Sequence, residues 1–190
     1  MVVAVSVPLG AQQEENPIVL EYQAKRGDHQ ALAALRLAAE EGDADAQVSL
    51  GRLYAGGEGV PQDFAEVVRL YRLAAEQGRT SVQRDLGDMY YNGRGVPVDY
   101  AGAAQWYRLA AERNDTVAQF NLALMYIDGL GVPRDLVQAH MWFNLAARFQ
   151  SGSRGDAGTH RAQIENRLSP AQLVEAQRLA REWDEAHPRD

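Results

Sequence analysis

The 190-residue chain has no cysteine, and of its 19 basic residues only Lys25 is a lysine. Without thiols there can be neither a disulfide framework nor a thiolate metal site, and the redox compartment stays open. The four histidines, His29, His140, His160 and His187, stand at no ligand spacing from one another or from acidic partners, so no metal is expected. A nucleophile elbow, a phosphate-binding loop and a dinucleotide fingerprint are all missing, which argues against an enzyme and against a cofactor. No run approaches the ~18 apolar residues of a membrane span. The formal net charge is −7, and the arginines are scattered. The basic footprint that binds nucleic acid or an anionic membrane surface is therefore lacking.

What the chain does have is a period. Gly57-Glu58-Gly59-Val60-Pro61-Gln62-Asp63 returns as Gly93-Arg94-Gly95-Val96-Pro97-Val98-Asp99 and again as Gly129-Leu130-Gly131-Val132-Pro133-Arg134-Asp135, each time 36 residues on. Residues 38–73 and 74–109 share 17 of 36 positions, where chance would give about three. A fixed period in this range marks a stacked repeat, so the expected fold is all-α, an α/α solenoid of helix-turn-helix units.

Each unit reads as helix, loop, helix. In the first copy Ala46, Leu50, Leu53 and Tyr54 form one helical stripe. Gly51, Gly87 and Ala123 are the small residues within the equivalent stripes, as a close helix crossing requires. The paired loop glycines supply positive φ, the following proline cannot continue a helix, and Asp63, Asp99 and Asp135 stand where N-caps belong. Asp63 with Glu66 and Asp135 with Gln138 have capping-box spacing. The second helix buries Val67, Tyr71, Ala74 and Ala75, with Trp106 and Trp142 in the place of Leu70. Units join at Gly42, Gly78 and Asn114, the last being the residue that best replaces glycine in a left-handed turn.

Ala-Ala-Glu-x-Gly, Leu-Gly-x-x-Tyr, Gly-x-Gly-Val-Pro-x-Asp and Tyr-Arg-Leu-Ala-Ala together resemble the Sel-one-like repeat, a relative of the tetratricopeptide repeat with a longer inter-helix loop. The resemblance covers about 110 of the 190 residues. It implies a right-handed superhelix of antiparallel helix pairs with adaptor or regulatory work, in bacteria often in the envelope, and usually without catalysis. Many exported members carry a disulfide within each repeat, and this chain cannot.

Four segments are expected: 1–11, 12–37, 38–147 and 148–190. Met1 to Ala11 is apolar and uncharged and gives way to Gln12-Gln13-Glu14-Glu15. It looks like the distal half of a secretory signal peptide, although no basic region precedes it; the other reading is an apolar N-terminus that frays or packs. Export to the periplasm is the expectation and a cytoplasmic site the alternative. Residues 12–37 supply N-terminal capping helices, opened by Asn16-Pro17 and by Asp28. Residues 38–147 hold the three repeats. After them come a loop over 149–158, a helix over 159–168 and a last helix opened by Ser169-Pro170-Ala171-Gln172, together a C-terminal cap.

Specificity in a repeat scaffold resides in the residues that vary. Opposite the core stripe, the first helices carry Asp45, Val48, Arg52 and Ala55, then Ser81, Arg84, Asp88 and Tyr91, then Val117, Phe120, Leu124 and Ile127. The third helix is apolar on both faces, so Phe120, Leu124 and Ile127 either anchor a partner or lie under the C-terminal cap. The expected function is a monomeric, non-catalytic scaffold that binds another protein or peptide on its concave face through Arg52, Arg84, Asp88, Tyr91, Phe120, Leu124 and Ile127. The alternative is a module that binds cell-wall fragments or inhibits the enzymes that process them.

Overall fold

The computed structural model describes residues 16–148 and 157–187. The signal-like stretch 1–11 and most of the expected loop over 149–158 lie outside them. The described residues form ten helices and no strand: α1 (Pro17–Lys25), α2 (His29–Glu40), α3 (Ala44–Gly56), α4 (Phe64–Glu76), α5 (Thr80–Asn92), α6 (Tyr100–Glu112), α7 (Thr116–Asp128), α8 (Leu136–Ala147), α9 (Ala157–Glu165) and α10 (Pro170–Ala186). α3 pairs with α4, α5 with α6 and α7 with α8, and each pair stacks on the next. This is an α/α solenoid, capped by α1 and α2 at one end and by α9 and α10, both packed on α8, at the other.

Helix starts follow the aspartates. The side chains of Asp28, Asp43, Asp63, Asp99, Asp115 and Asp135 each accept a backbone N–H from the first turn of the helix that follows, satisfying donors that have no partner inside the helix. The reciprocal capping box forms at Ser169 and Gln172. At Asp63 the expected partner Glu66 is instead gripped by Arg69, through two hydrogen bonds of 2.8 and 2.6 Å. Copy two has Arg79 at its first N-cap, which makes no cap bond and pairs with Asp45 at 2.6 Å. Asn114 adopts φ +64° at the turn where the other copies use Gly42 and Gly78.

The recurring residues of the motif hold neighbouring units together. Gln47, Gln83 and Gln119 are buried and donate to the carbonyls of Ala39, Ala75 and Ala111 at 3.0–3.1 Å, tying the first helix of each unit to the end of the helix before it. The arginine of each Tyr-Arg-Leu phrase, or its equivalent, donates to the tyrosine of the next Leu-Gly-x-x-Tyr: Arg36 to Tyr54, Arg72 to Tyr90 and Arg108 to Tyr126. The fourth place in this ladder is Asn144, whose side-chain oxygen accepts from Arg161 of α9 at 3.1 Å. Buried His140 on α8 meets Glu165 of α9 at 3.1 Å. Within a unit, a Cβ on Gly51 or Gly87 would lie 2.5 Å from the ring of Tyr71 or Tyr107. The small residue of the stripe therefore makes room for an aromatic ring; in copy three, Ala123 and Phe143 share the same core.

The second loop glycine is the tightest point. At Gly59, Gly95 and Gly131 φ is +75°, +78° and +68°, and a Cβ would come within 2.1–2.3 Å of the carbonyl oxygens of Ala24, Phe64 and Tyr100, on the unit before. Gly42 also has positive φ, +100°, but its Cβ would meet nothing within 4 Å. Gly42→Ala should therefore cost about 1–2 kcal/mol from the backbone alone. Gly95→Ala should cost about 1–3 kcal/mol more, because the obstructing carbonyl belongs to a packed helix and cannot rotate away. Equilibrium urea denaturation of the two variants checks this; equal losses would show that the loop contact does not constrain the stack.

Candidate binding surface

The variable positions of α3, α5 and α7 form a ladder on the face turned from the core stripe, and the structure treats its rungs differently. Arg52 is exposed, with its guanidinium 3.7 Å from Glu21. Glu21 is a buried carboxylate that Lys25 also holds, at 3.1 Å. Arg84 is half-buried and committed: it pairs with Asp115 at 2.9 Å and touches Asp85 at 3.3 Å. Asp115 thus caps α7 with one oxygen and fixes Arg84 with the other. Val48, the copy-one counterpart of Arg84, is buried.

In copy three the apolar stripe divides. The Phe120 ring packs edge-on against Phe143 and against His160 of α9, both with centroids 5.2 Å away, so the cap covers this end. Leu124 and Ile127 are half-buried, and Leu124 faces a cleft.

This cleft is one of a pair, of about 250 and 240 Å³. The first is lined by Phe64, Tyr71, Asp85, Asp88, Met89 and Arg94 among others. The second is lined by Asp88, Tyr91, Tyr107, Asn121, Leu124 and Asp128 among others. Adding 36 to Tyr71, Asp85, Asp88 and Met89 gives Tyr107, Asn121, Leu124 and Met125, so the clefts are the same site in consecutive units. Asp88 and Asn92 of α5 belong to both and form the shared wall. Arg94 lies over the Phe64 ring, 3.9 Å from its centroid, at the first cleft. Tyr91 meets Tyr100 edge-on at 5.2 Å at the second.

The wall is fixed by hydrogen bonds. The Tyr107 hydroxyl donates to Asp88 at 2.5 Å, and the Asn121 amide approaches the same oxygen at 3.4 Å. Burial raises the Asp85 carboxyl above its ordinary value, against the opposing pull of Arg84. The sequence singled out Arg52, Arg84, Asp88, Tyr91, Phe120, Leu124 and Ile127. The structure brings Asp88, Tyr91 and Leu124 together at one cleft, sets Arg52 apart near Glu21, and ties Arg84 into an internal ion pair. Sequence reasoning missed Asp85, Asn121 and Tyr107. A signal existed: position 85 and its counterpart 121 are polar beside the apolar stripe, where copy one has Ser49. Among the described residues no group of three or more potential ligands could hold a metal ion.

The Sel1 repeat family model matches residues 44–78, 80–115 and 116–148. Among solved structures, the chain is similar to a Sel1 repeat protein from Oxalobacter formigenes, at 37% identity and TM-score 0.61 over 70% of this chain and 97% of that one. It is similar to c5321, a protective antigen of uropathogenic Escherichia coli displaying an SLR fold, at 28% identity and TM-score 0.54 over 90% of this chain. That alignment spans 46% of the antigen's length. It is also similar to cysteine rich protein B of Helicobacter pylori, at 26% identity and TM-score 0.52 over 74% of this chain and 96% of that one. The search of curated proteins returns no match.

Burial raises the Tyr107 phenol above its ordinary value of 10.0, and its hydrogen bond to the Asp88 carboxylate raises it further. Burial raises Tyr71 too. A phenol that keeps its proton in the folded state after the unfolded chain has lost it contributes stability below pH ~10 that is lost as pH rises beyond it. Asp88→Asn keeps an acceptor but removes the charge. It should bring Tyr107 ionisation to lower pH in a near-ultraviolet phenolate titration and make the alkaline loss of stability shallower. An unchanged titration would show that Asp88 does not govern the wall.

Proposed function

Because the chain belongs to the Sel1 repeat family, whose fold is typically a non-catalytic scaffold for protein interaction, we propose that it holds a segment of another protein along the concave face formed by α3, α5 and α7. The observation that carries this reading is the pair of equivalent clefts one repeat apart, joined by the wall at Asp88 and Asn92. An extended segment crossing that wall places one side chain in each. The first cleft offers acidic and aromatic groups under Arg94, and the second offers Tyr91 and Leu124 beside Asp128. Differences between repeats then set which segment fits, while the recurring residues keep the spacing.

The proposed contact set is Arg52, Asp88, Tyr91, Leu124 and Ile127. Arg84 acts by positioning Asp115, and Phe120 by seating the cap. We place this work in the bacterial envelope on the strength of the apolar Met1–Ala11 stretch. Among the described residues no helix is long and apolar enough to cross a membrane.

Truncating two side chains that a partner buries removes roughly 1.5–3 kcal/mol each, so Tyr91→Ala with Leu124→Ala should weaken a captured partner by about a hundredfold or more. Leu109→Ala, which removes an apolar side chain that is 42% exposed on α6, should leave affinity unchanged. Isothermal titration with the purified partner, alongside thermal melting of each variant, decides the matter. Equal affinity of the cleft variant and the wild type would place the binding surface elsewhere.

A further inference from the structure

A larger hollow, of about 550 Å³, lies between α6, α8 and α10 and shares no lining residue with either cleft. Its polar edge is unusually rich in donors. Arg108 gives one hydrogen bond to the Tyr126 hydroxyl at 2.6 Å, and Arg134 gives one to the Ile127 carbonyl at 3.0 Å. Among the described residues neither guanidinium takes part in an ion pair, although acidic residues outnumber basic ones 26 to 19 in the chain. The one acid in the lining, Asp135, is occupied in capping α8, accepting the N–H groups of Val137 and Gln138. Asp135 thus answers the dipole at the start of α8, and the two arginines are left as the charge that faces the hollow.

Its apolar floor is equally particular. Trp142 and Trp183 lie 4.9 Å apart between centroids, tilted by 60°, with Met141 and Pro133 beside them. Trp142 is 4% exposed, and the indole N–H of each tryptophan is shut off from solvent without an acceptor. Buried donors without acceptors are rare in native structures. The earlier units lack this set: Arg134 corresponds to Gln62 and Val98, and Trp142 to Leu70 and Trp106. The arrangement is a property of the junction between the last repeat and the cap.

We propose that this hollow binds an apolar residue carrying a free carboxylate, the chemistry of a peptide C-terminus that ends in an apolar side chain. The carboxylate sits against Arg134 and Arg108, where bidentate donation suits its two oxygens. The apolar body packs on Trp142, Trp183 and Met141. This site is independent of the concave clefts and stands or falls apart from them.

The test uses the full chain with N-acetylphenylalanine and N-acetylphenylalaninamide as probes, followed by the indole N–H signals of the three tryptophans. The acid should shift Trp142 and Trp183 saturably and leave Trp106 in place, and the amide should bind at least tenfold more weakly. Arg134→Gln should also bind the acid at least tenfold more weakly while melting with the wild type. Glutamine at that place keeps the local bond, as Gln62 shows by donating to the Ala55 carbonyl at 2.8 Å. The proposal is overturned if the amide binds the wild type as tightly as the acid, if Arg134→Gln binds like the wild type, or if millimolar acid leaves both signals unmoved.

Discussion

The stack depends on one close approach: a loop glycine of each unit lies against a backbone carbonyl of the unit before it. At Gly95 the space between the loop and the Phe64 carbonyl is too small for a methyl group, and the positive φ there would itself disfavour one. Two rigid pieces of backbone in direct contact fix a distance more firmly than two side chains can, since neither has a rotamer to change. The pitch of the solenoid follows from this contact. The buried glutamines and the arginine–tyrosine bonds then fall into register around it.

Given that pitch, variation becomes affordable elsewhere. Copies one to three differ at the positions that face away from the core, and the differences produce clefts of the same shape with different chemistry. Asp85 becomes Asn121 and Asp88 becomes Leu124, so a cleft with two aspartates beside Arg94 is followed by one with Asp88 and Asp128 beside Tyr91, Asn121 and Leu124. Neither change disturbs the aromatic ring at the back of the cleft, Tyr71 or Tyr107, whose seat is made by Gly51 or Gly87. The relative from Helicobacter pylori is named for its cysteines. This chain has the same kind of stack with none, so packing and hydrogen bonds suffice to hold it.

The repeats could be read from the sequence because their constraints are local and recur: an N-cap, a glycine at positive φ and an apolar face each leave a mark at a fixed interval. Asn114 shows how far this goes, since a departure from glycine could be recognised as the same turn and has the expected φ. The surface was less legible, because what decides whether a side chain is free is its neighbour one unit away. Arg84 reads as a surface cation until Asp115 is seen beside it. Phe120 reads equally as a partner anchor or as core under the cap until α9, which belongs to no repeat, brings His160 against it. The Trp142–Trp183 hollow had no periodic signature at all, since one of its walls comes from the cap.

The ladder of arginine-to-tyrosine bonds ends at Asn144, and there its polarity reverses. In the first three rungs the earlier unit gives the proton and the later one receives it; at the fourth, Asn144 receives and Arg161 gives. A stack that presented another arginine at this level would offer the leading helices of a second molecule a familiar docking step, and open head-to-tail contacts of that kind propagate into fibres. The reversed rung sets the junction of the last repeat with α9 chemically apart from the three junctions before it.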